Sequence, residues 1–485
     1  MNAVWSDLAF ALRTLRKTPA FTVVAIASLA LGIGANTAIF TVVDQVLLRL
    51  LPVKDPQRLV LLSMKGVFPG SSRGDDVLSY PMYADFAANN SVFSGMFCRF
   101  PVPVNLGFSG QTERIAAELV SGTYFPVLGV EPAAGRLLTP ADDRIINGHP
   151  VVVLSNAFWR SRFAAKAEVV GKEIVLNGHK MTVIGVAQRG FDGVELGYSA
   201  QVFIPMMMKA QMTPPWDDMQ NRRSRWVYAF GRLKPGVSRE QAQVALQTML
   251  RGQLEMEETE QGFSDVGTYE RAQYLKNTIG LLPASRSHSD LRTRMQSPLW
   301  ALLSITAAVL LIACANVANL LLARSAARQR EIAIRLSLGA ARARVISQLL
   351  IESLVLAAAG GSSGLLIASW LDGMLAGFLP PEKISLQLST HPDTRVLLFT
   401  IAVSLLTAIL FGLIPALQAT KPDIAPTLKS EVSTVIGGGV QLNFRKALVT
   451  AQVTLSLLLL IGAGLFIRSL HNLRGLGPGF KAPDV

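Results

Sequence analysis

The sequence predicts a membrane protein: an α-helical transmembrane bundle with a large α+β domain outside it. Three observations predict this. Five apolar runs are each long enough to cross a hydrocarbon core of about 30 Å. A polar region over residues 50–296 separates the first run from the second. Residues 324–344, RSAARQREIAIRLSLGAARAR, set six arginines against the single acid Glu331 between the second run and the third. Short arginine-rich loops stay cytoplasmic, because guanidinium groups cross hydrocarbon at high cost and insertion follows the Lys/Arg bias. The N-terminus is therefore expected inside.

Half of the 485 residues are hydrophobic and only 16% are charged, which excludes an ordinary soluble enzyme. The excess of 46 Lys+Arg over 33 Asp+Glu would suggest a nucleic-acid partner in a soluble protein. Here much of it flanks apolar runs, so no nucleic-acid role is expected. Cys98 lies in the polar region and Cys314 inside an apolar run, so neither a disulfide nor a cysteine metal site is expected.

In chain order, residues 1–19 read as a cytoplasmic amphipathic helix, with Trp5, Leu8, Leu12 and Leu15 on one face and Arg13, Arg16 and Lys17 near its end. Residues 20–48 are the first span. This stretch is too long for a signal-peptide core and no clear A-x-A site follows, so it reads as an uncleaved anchor. Within it Ala30, Gly34 and Ala38 form a small-xxx-small stripe for helix packing. In the 50–296 domain, strands are expected over residues 58–64, 151–154 and 226–233, and a helix over residues 82–88. Residues 173–186 read as a hairpin around Asn177-Gly178. Ser238 and Gln241 make a capping box before a stripe of Ala242, Ala245, Leu246, Met249 and Leu250.

The second span is residues 298–323, running inward, followed by the basic region 324–344. Glu331 opens a helix through Leu338, and Gly339 stands where a left-handed cap belongs. A solvated basic loop that only enforces topology is the competing reading. The third span, residues 345–372, begins an outward run whose close-packing pairs are Gly360 with Gly364 and Gly373 with Gly377. Residues 395–420 return as the fourth, residues 421–446 form a cytoplasmic linker, residues 447–467 go out as the fifth, and residues 468–485 are an external tail. Leu15-Arg16-Lys17 before Gly32 and Gly34 is echoed by Phe444-Arg445-Lys446 before Gly462 and Gly464, so a second, incomplete repeat is expected to begin near residue 440.

Catalytic motifs are scarce. No G-x-x-x-x-G-K-[ST] phosphate loop occurs. Gly70-Ser71-Ser72-Arg73-Gly74 spells a nucleophile elbow without the strand-to-helix context, so it reads as a turn. His149, His179, His288, His391 and His471 form no metal-binding pair. Glu352, costly in lipid, is expected to pair with an arginine near the membrane surface rather than relay protons. Asn316 and Asn319 are expected as glue between helices.

LRKTPAFTVVAIASLALGIGANTAIFTVVDQVLL, SYPMYADF, YFPVLGVEPAAGRLLTPADD, VVVLSNAFWRSRF and ANVANLLLARSAARQREIAIRLSLGAARARVISQLLIES together resemble the MacB/FtsX-type ABC transporter permeases. The subgroup most resembled is duplicated and lacks a fused ATPase. The resemblance implies a four-helix permease unit plus a fifth helix in the cell inner membrane. A periplasmic core domain, a porter-like part with an inserted part, would lie between the first two helices. It implies mechanotransmission driven by a partner ATPase, for export or extrusion of a small molecule, peptide or lipoprotein. Residues 328–339 map onto the element near that ATPase, naming Arg328, Arg330, Glu331, Arg335 and Gly339 as coupling residues. ATP and Mg would sit on the partner, with no cofactor, metal or catalytic residue in this chain. Implied partners are the ATPase, a homodimeric or separately encoded second half, a periplasmic adaptor and an outer-membrane channel. A signalling or scaffold protein that controls a cell-wall hydrolase or senses a peptide is the alternative function, and a non-functional gene fragment is another.

Overall fold

The computed structural model describes residues 2–108, 110–259, 263, 265–286, 290–327, 329–338, 341–378, 394–419 and 439–475. Of the described residues, those up to 46 and those from 294 onward belong to a helical unit, and those over 47–293 form a second, α+β unit.

In the helical unit, Asn2–Arg16 precedes Pro19–Val43, whose proline occupies the first helical turn, where a missing N–H costs nothing. The helices Asp290–Ala327, Gln329–Ser337, Arg342–Phe378, Thr394–Ala419 and Gly439–Gly475 follow. Pro19–Leu48, Arg292–Arg324, Arg342–Leu371 and Lys446–Ser469 are long and apolar enough to cross a membrane, while Thr394–Leu410 is a shorter apolar stretch. The first span is the hub. A Cβ on its Gly32 would meet Leu310 Cδ1 of the second span at 2.9 Å, and one on its Gly34 would meet Gly364 O of the third at 2.9 Å. Toward the fourth, Thr37 and Thr400 hydroxyls lie 3.1 Å apart and Phe40 stacks on Phe399. Asn36 Nδ2 donates to Thr306 O at 2.7 Å.

Asn36 of the first span and Thr306 of the second thus make a polar contact between these helices, and the expectation for Asn319 needs correcting. Asn319 Oδ1 is buried without a hydrogen-bond partner. The N-terminal helix also divides its expected single face. Leu15 joins the core of Leu29, Ile33, Cys314 and Leu356, whereas Trp5 and Leu12 remain 69% and 49% exposed. Asp7, Ala11 and Thr14 are buried with Leu15, so neighbouring helices claim the face adjacent to the one the apolar pattern marks.

The α+β unit contains strands β1 (Leu59–Lys65), β2 (Ser71–Ser72), β3 (Phe93–Phe108), β4 (Gln111–Val120), β5 (Pro132–Gly135), β6 (Val151–Leu154), β7 (Glu173–Leu176), β8 (His179–Ala187), β9 (Val202–Pro205), β10 (Ser224–Arg225), β11 (Tyr228–Leu233) and β12 (Thr278–Pro283). Ten form one sheet, ordered β12, β1, β11, β3, β4, β9, β6, β8, β5, with β7 bridging β3 and β8. β1 is covered on both faces: Val60, Leu62 and Met64 enter one core, Leu59 and Leu61 the other. That is why it reads as a continuous apolar run rather than an alternation. At the expected hairpin, Asn177 and Gly178 have φ of 48° and 86°, as a type I′ turn requires. The capping box also forms: Ser238 N donates to Gln241 Oε1 at 3.0 Å and Gln241 N to Ser238 Oγ at 3.2 Å, opening the helix Arg239–Thr259. The helix expected over residues 82–88 is Tyr80–Asn89. Gly70-Ser71-Ser72-Arg73-Gly74 contains β2, paired with β10, rather than a strand-to-helix elbow.

Candidate coupling site

The basic segment between the second and third spans folds as a nine-residue helix, Gln329–Ser337. Three arginines in and beside it turn toward the bundle. Arg324, closing the second span, pairs with Glu352 of the third at 2.6 Å, both side chains being largely buried. Its Nη2 also donates to Thr14 O of the N-terminal helix at 3.2 Å, and its guanidinium lies 4.8 Å from the Phe21 ring centre. Arg335 donates to Gln348 Oε1 at 3.4 Å and lies over Phe10, 5.7 Å from the ring centre. Arg344, opening the third span, reaches Asp7 Oδ1 at 2.9 Å. Glu352 has therefore found the arginine its position demands, as expected for a carboxylate near the end of a span.

With these arginines turned inward, Ile334 and Leu338, one helical turn apart, stay 48% and 82% exposed. Sequence reasoning marked the charges and passed over this pair, although the i, i+4 spacing signals a shared face. Of the expected coupling residues, Arg335 is placed as above. Arg328 and Gly339 lie outside the described residues, as do the side chains of Arg330 and Glu331. Among the packing residues, Ala30, Gly34 and Ala38 are buried in the first span. A Cβ on Gly364 would lie 3.0 Å from Gly34 N, and one on Gly360 would lie 2.6 Å from Leu29 Cβ. Gly373 and Gly377 fall in the helix Arg342–Phe378, where side-chain surroundings are outside the described set.

The α+β unit holds a buried charge cluster that the sequence did not reveal. Arg99 on β3 pairs with Glu118 on β4 at 2.5 Å and also with Glu195, over the Tyr228 ring. Burial pushes the Glu118 carboxyl up, against the pull of Arg99. Burial opposes the Arg99 charge too, but the two carboxylates outweigh it and raise the guanidinium above its ordinary value. Tyr124 donates to Glu118 Oε2 at 3.2 Å. This arrangement ties strands to the loop carrying Glu195. Among the described residues, no group of three or more His, Cys, Asp or Glu side chains could hold a metal ion.

Residues 22–249 match the family model of the MacB-like periplasmic core domain, and residues 303–424 match that of the FtsX-like permease C-terminal. The macrolide export ATP-binding/permease protein MacB of Nitrosomonas europaea is 27% identical over 307 residues, covering 62% of this chain and 40% of that protein. Its counterpart in Salmonella paratyphi A is 25% identical over 374 residues, covering 75% and 52%. The chain therefore spans about half the length of the curated relatives it matches. The solved periplasmic region of MacB from Actinobacillus actinomycetemcomitans is 15% identical, covering 50% of this chain and 93% of that one, with a TM-score of 0.34, a likeness too slight to carry an argument.

Proposed function

Because this chain belongs to the MacB/FtsX-type ABC transporter permease family, we propose that it is the permease subunit of a complex in which a separate ATPase pushes on the helix Gln329–Ser337. That push is relayed to the periplasmic domain. The output is export or extrusion of a small molecule, peptide or lipoprotein, without passage among the helices. The observation that supports this most is the short helix itself, held by Arg335 to Gln348 of the third span and Phe10 of the N-terminal helix, beside the Arg324–Glu352 pair that joins its two flanking spans, while an apolar pair faces outward. A loop serving only as a topology signal needs none of those contacts. ATP and Mg belong to the partner. A second permease unit pairs with this one in the membrane, with the helix Gly439–Gly475 at the contact. A periplasmic adaptor and an outer-membrane channel extend the route.

The test is co-purification. The tagged chain is co-expressed with candidate ABC ATPase subunits from its own genome, and retention and ATP hydrolysis are measured. Leu338→Asp should weaken retention about 10-fold or more, as expected when a charge is forced into an apolar contact. Arg335→Glu should also weaken it, by breaking the contacts to Gln348 and Phe10 and reversing a charge at the docking face. Equal retention and hydrolysis for wild type and both variants would reduce the segment to a topology signal.

Orientation has its own test, because the arginine bias places this helix in the cytoplasm and the sheet outside. Cys98 and Cys314 are both buried, so the natural thiols leave a low background. In cells stripped of their outer membrane, an impermeant maleimide is expected to label Thr112→Cys and to spare Ser337→Cys, both exposed positions. The opposite pattern would invert the orientation.

A further inference from the structure

We propose that the N-terminal helix Asn2–Arg16 is a brace that positions the Gln329–Ser337 helix. Three of its residues at i, i+3 and i+7, hence on one face, each receive an arginine from a different element. Thr14 O takes Arg324 from the end of the second span, Phe10 lies under Arg335 of the short helix, and Asp7 pairs with Arg344 at the start of the third span. Asp7 and Thr14 are 6% and 7% exposed, and Ala11 and Leu15 between and beside them are buried as well. This face is seated on the bundle rather than laid loosely against it.

A brace is needed because a helix of nine residues lies below the length at which helices hold their own shape in water. Its orientation therefore comes from its contacts, and among the described side chains those that anchor it inward include Ile332, 7% exposed, and Arg335 on Gln348 and Phe10. The opposite face of the N-terminal helix exposes Trp5 and Leu12, which suits a headgroup-level surface. One helix thus joins the membrane surface to both arms of the loop. Asp7, Phe10 and Thr14 act as positioning residues, holding in register the helix that the proposed ATPase would push. That last clause alone rests on the proposed function.

Hydrogen exchange on the full chain in lipid nanodiscs tests the brace without any ATPase, so its failure is separate from failure of the docking experiment. Asp7→Asn and Phe10→Ala should each speed exchange of the 329–337 amides about 10-fold, with protection in the first span unchanged. The charge-exchanged pair Asp7→Arg with Arg344→Asp should return it to within about twofold of wild type, which a general loss of packing would not do. Unchanged exchange over residues 329–337 in both single variants would overturn the proposal and leave the N-terminal helix as a membrane anchor only. Should Asp7→Asn loosen the whole helical unit, Phe10→Ala decides, because it keeps the ion pair: faster exchange confined to residues 329–337 supports the brace, and none refutes it.

Discussion

Replacing Glu352 with alanine is expected to destabilise the helical unit by about 3–5 kcal/mol, the usual cost of leaving one member of a buried ion pair without its partner. Arg324 is 13% exposed in its side chain and would keep its charge there after losing the Glu352 carboxylate. The Thr14 carbonyl and the Phe21 ring beside it offer only partial charges. Cys314 provides the measurement, since it is 1% exposed and packs in the same core as Leu356, one turn beyond Glu352. In a Cys98→Ala background, a thiol-reactive dye on a heating ramp reports opening of the helical unit. The midpoint should fall by roughly 10 °C in Glu352→Ala. Arg324→Met with Glu352→Leu should recover most of that loss, because an apolar pair of similar volume replaces two desolvated charges. An unchanged midpoint in Glu352→Ala would mean that the pair contributes nothing to stability.

The helices, the Asn177-Gly178 hairpin and the Ser238 capping box were legible because each is encoded within a few residues. Glu352 was legible in kind: a carboxylate in a span requires a cation, although nothing local named Arg324. What was missed depends on distant partners. Arg324, Arg335 and Arg344 meet the N-terminal helix more than 300 residues earlier, and no local pattern records that meeting. Strand β3 was hidden differently, by Pro101 and Pro103, which normally demote a strand. The structure removes the objection. Asn105 N donates to Asn177 Oδ1, so alternate residues of that parity aim their nitrogens away from β4. On that side β11 pairs β3 only as far as Arg99 and β7 begins only at Leu106, so the two prolines lack an N–H where no strand asks for one. The Arg99 cluster was invisible for a related reason: Arg99 stands opposite Val120 and Glu118 opposite Pro101, so the two meet diagonally only once the β3–β4 register is set.

Gly364→Leu is expected to have an effect as large as loss of the buried pair, by prying the first and third spans apart. A Cβ there would stand 3.0 Å from Gly34 N and 3.1 Å from Ala30 O, and these are backbone atoms that cannot rotate aside. The approach of two backbones is what small residues at a membrane helix contact permit, so a leucine must separate the helices. The dye midpoint should fall by roughly 10 °C, or folded protein should not accumulate. Gly462→Leu supplies the contrast. Nothing lies within 4 Å of a Cβ on Gly462 or Gly464, and Leu457, Leu458, Leu460, Ile461, Leu465 and Phe466 around them are all more than half exposed. The midpoint should therefore stay at the wild-type value in Gly462→Leu. If this helix lies at the contact between two permease units, its mass by light scattering in mild detergent should fall from dimer to monomer. A wild-type midpoint in Gly364→Leu would show that the two spans are not closely packed. An undiminished dimer in Gly462→Leu would remove that face from the contact.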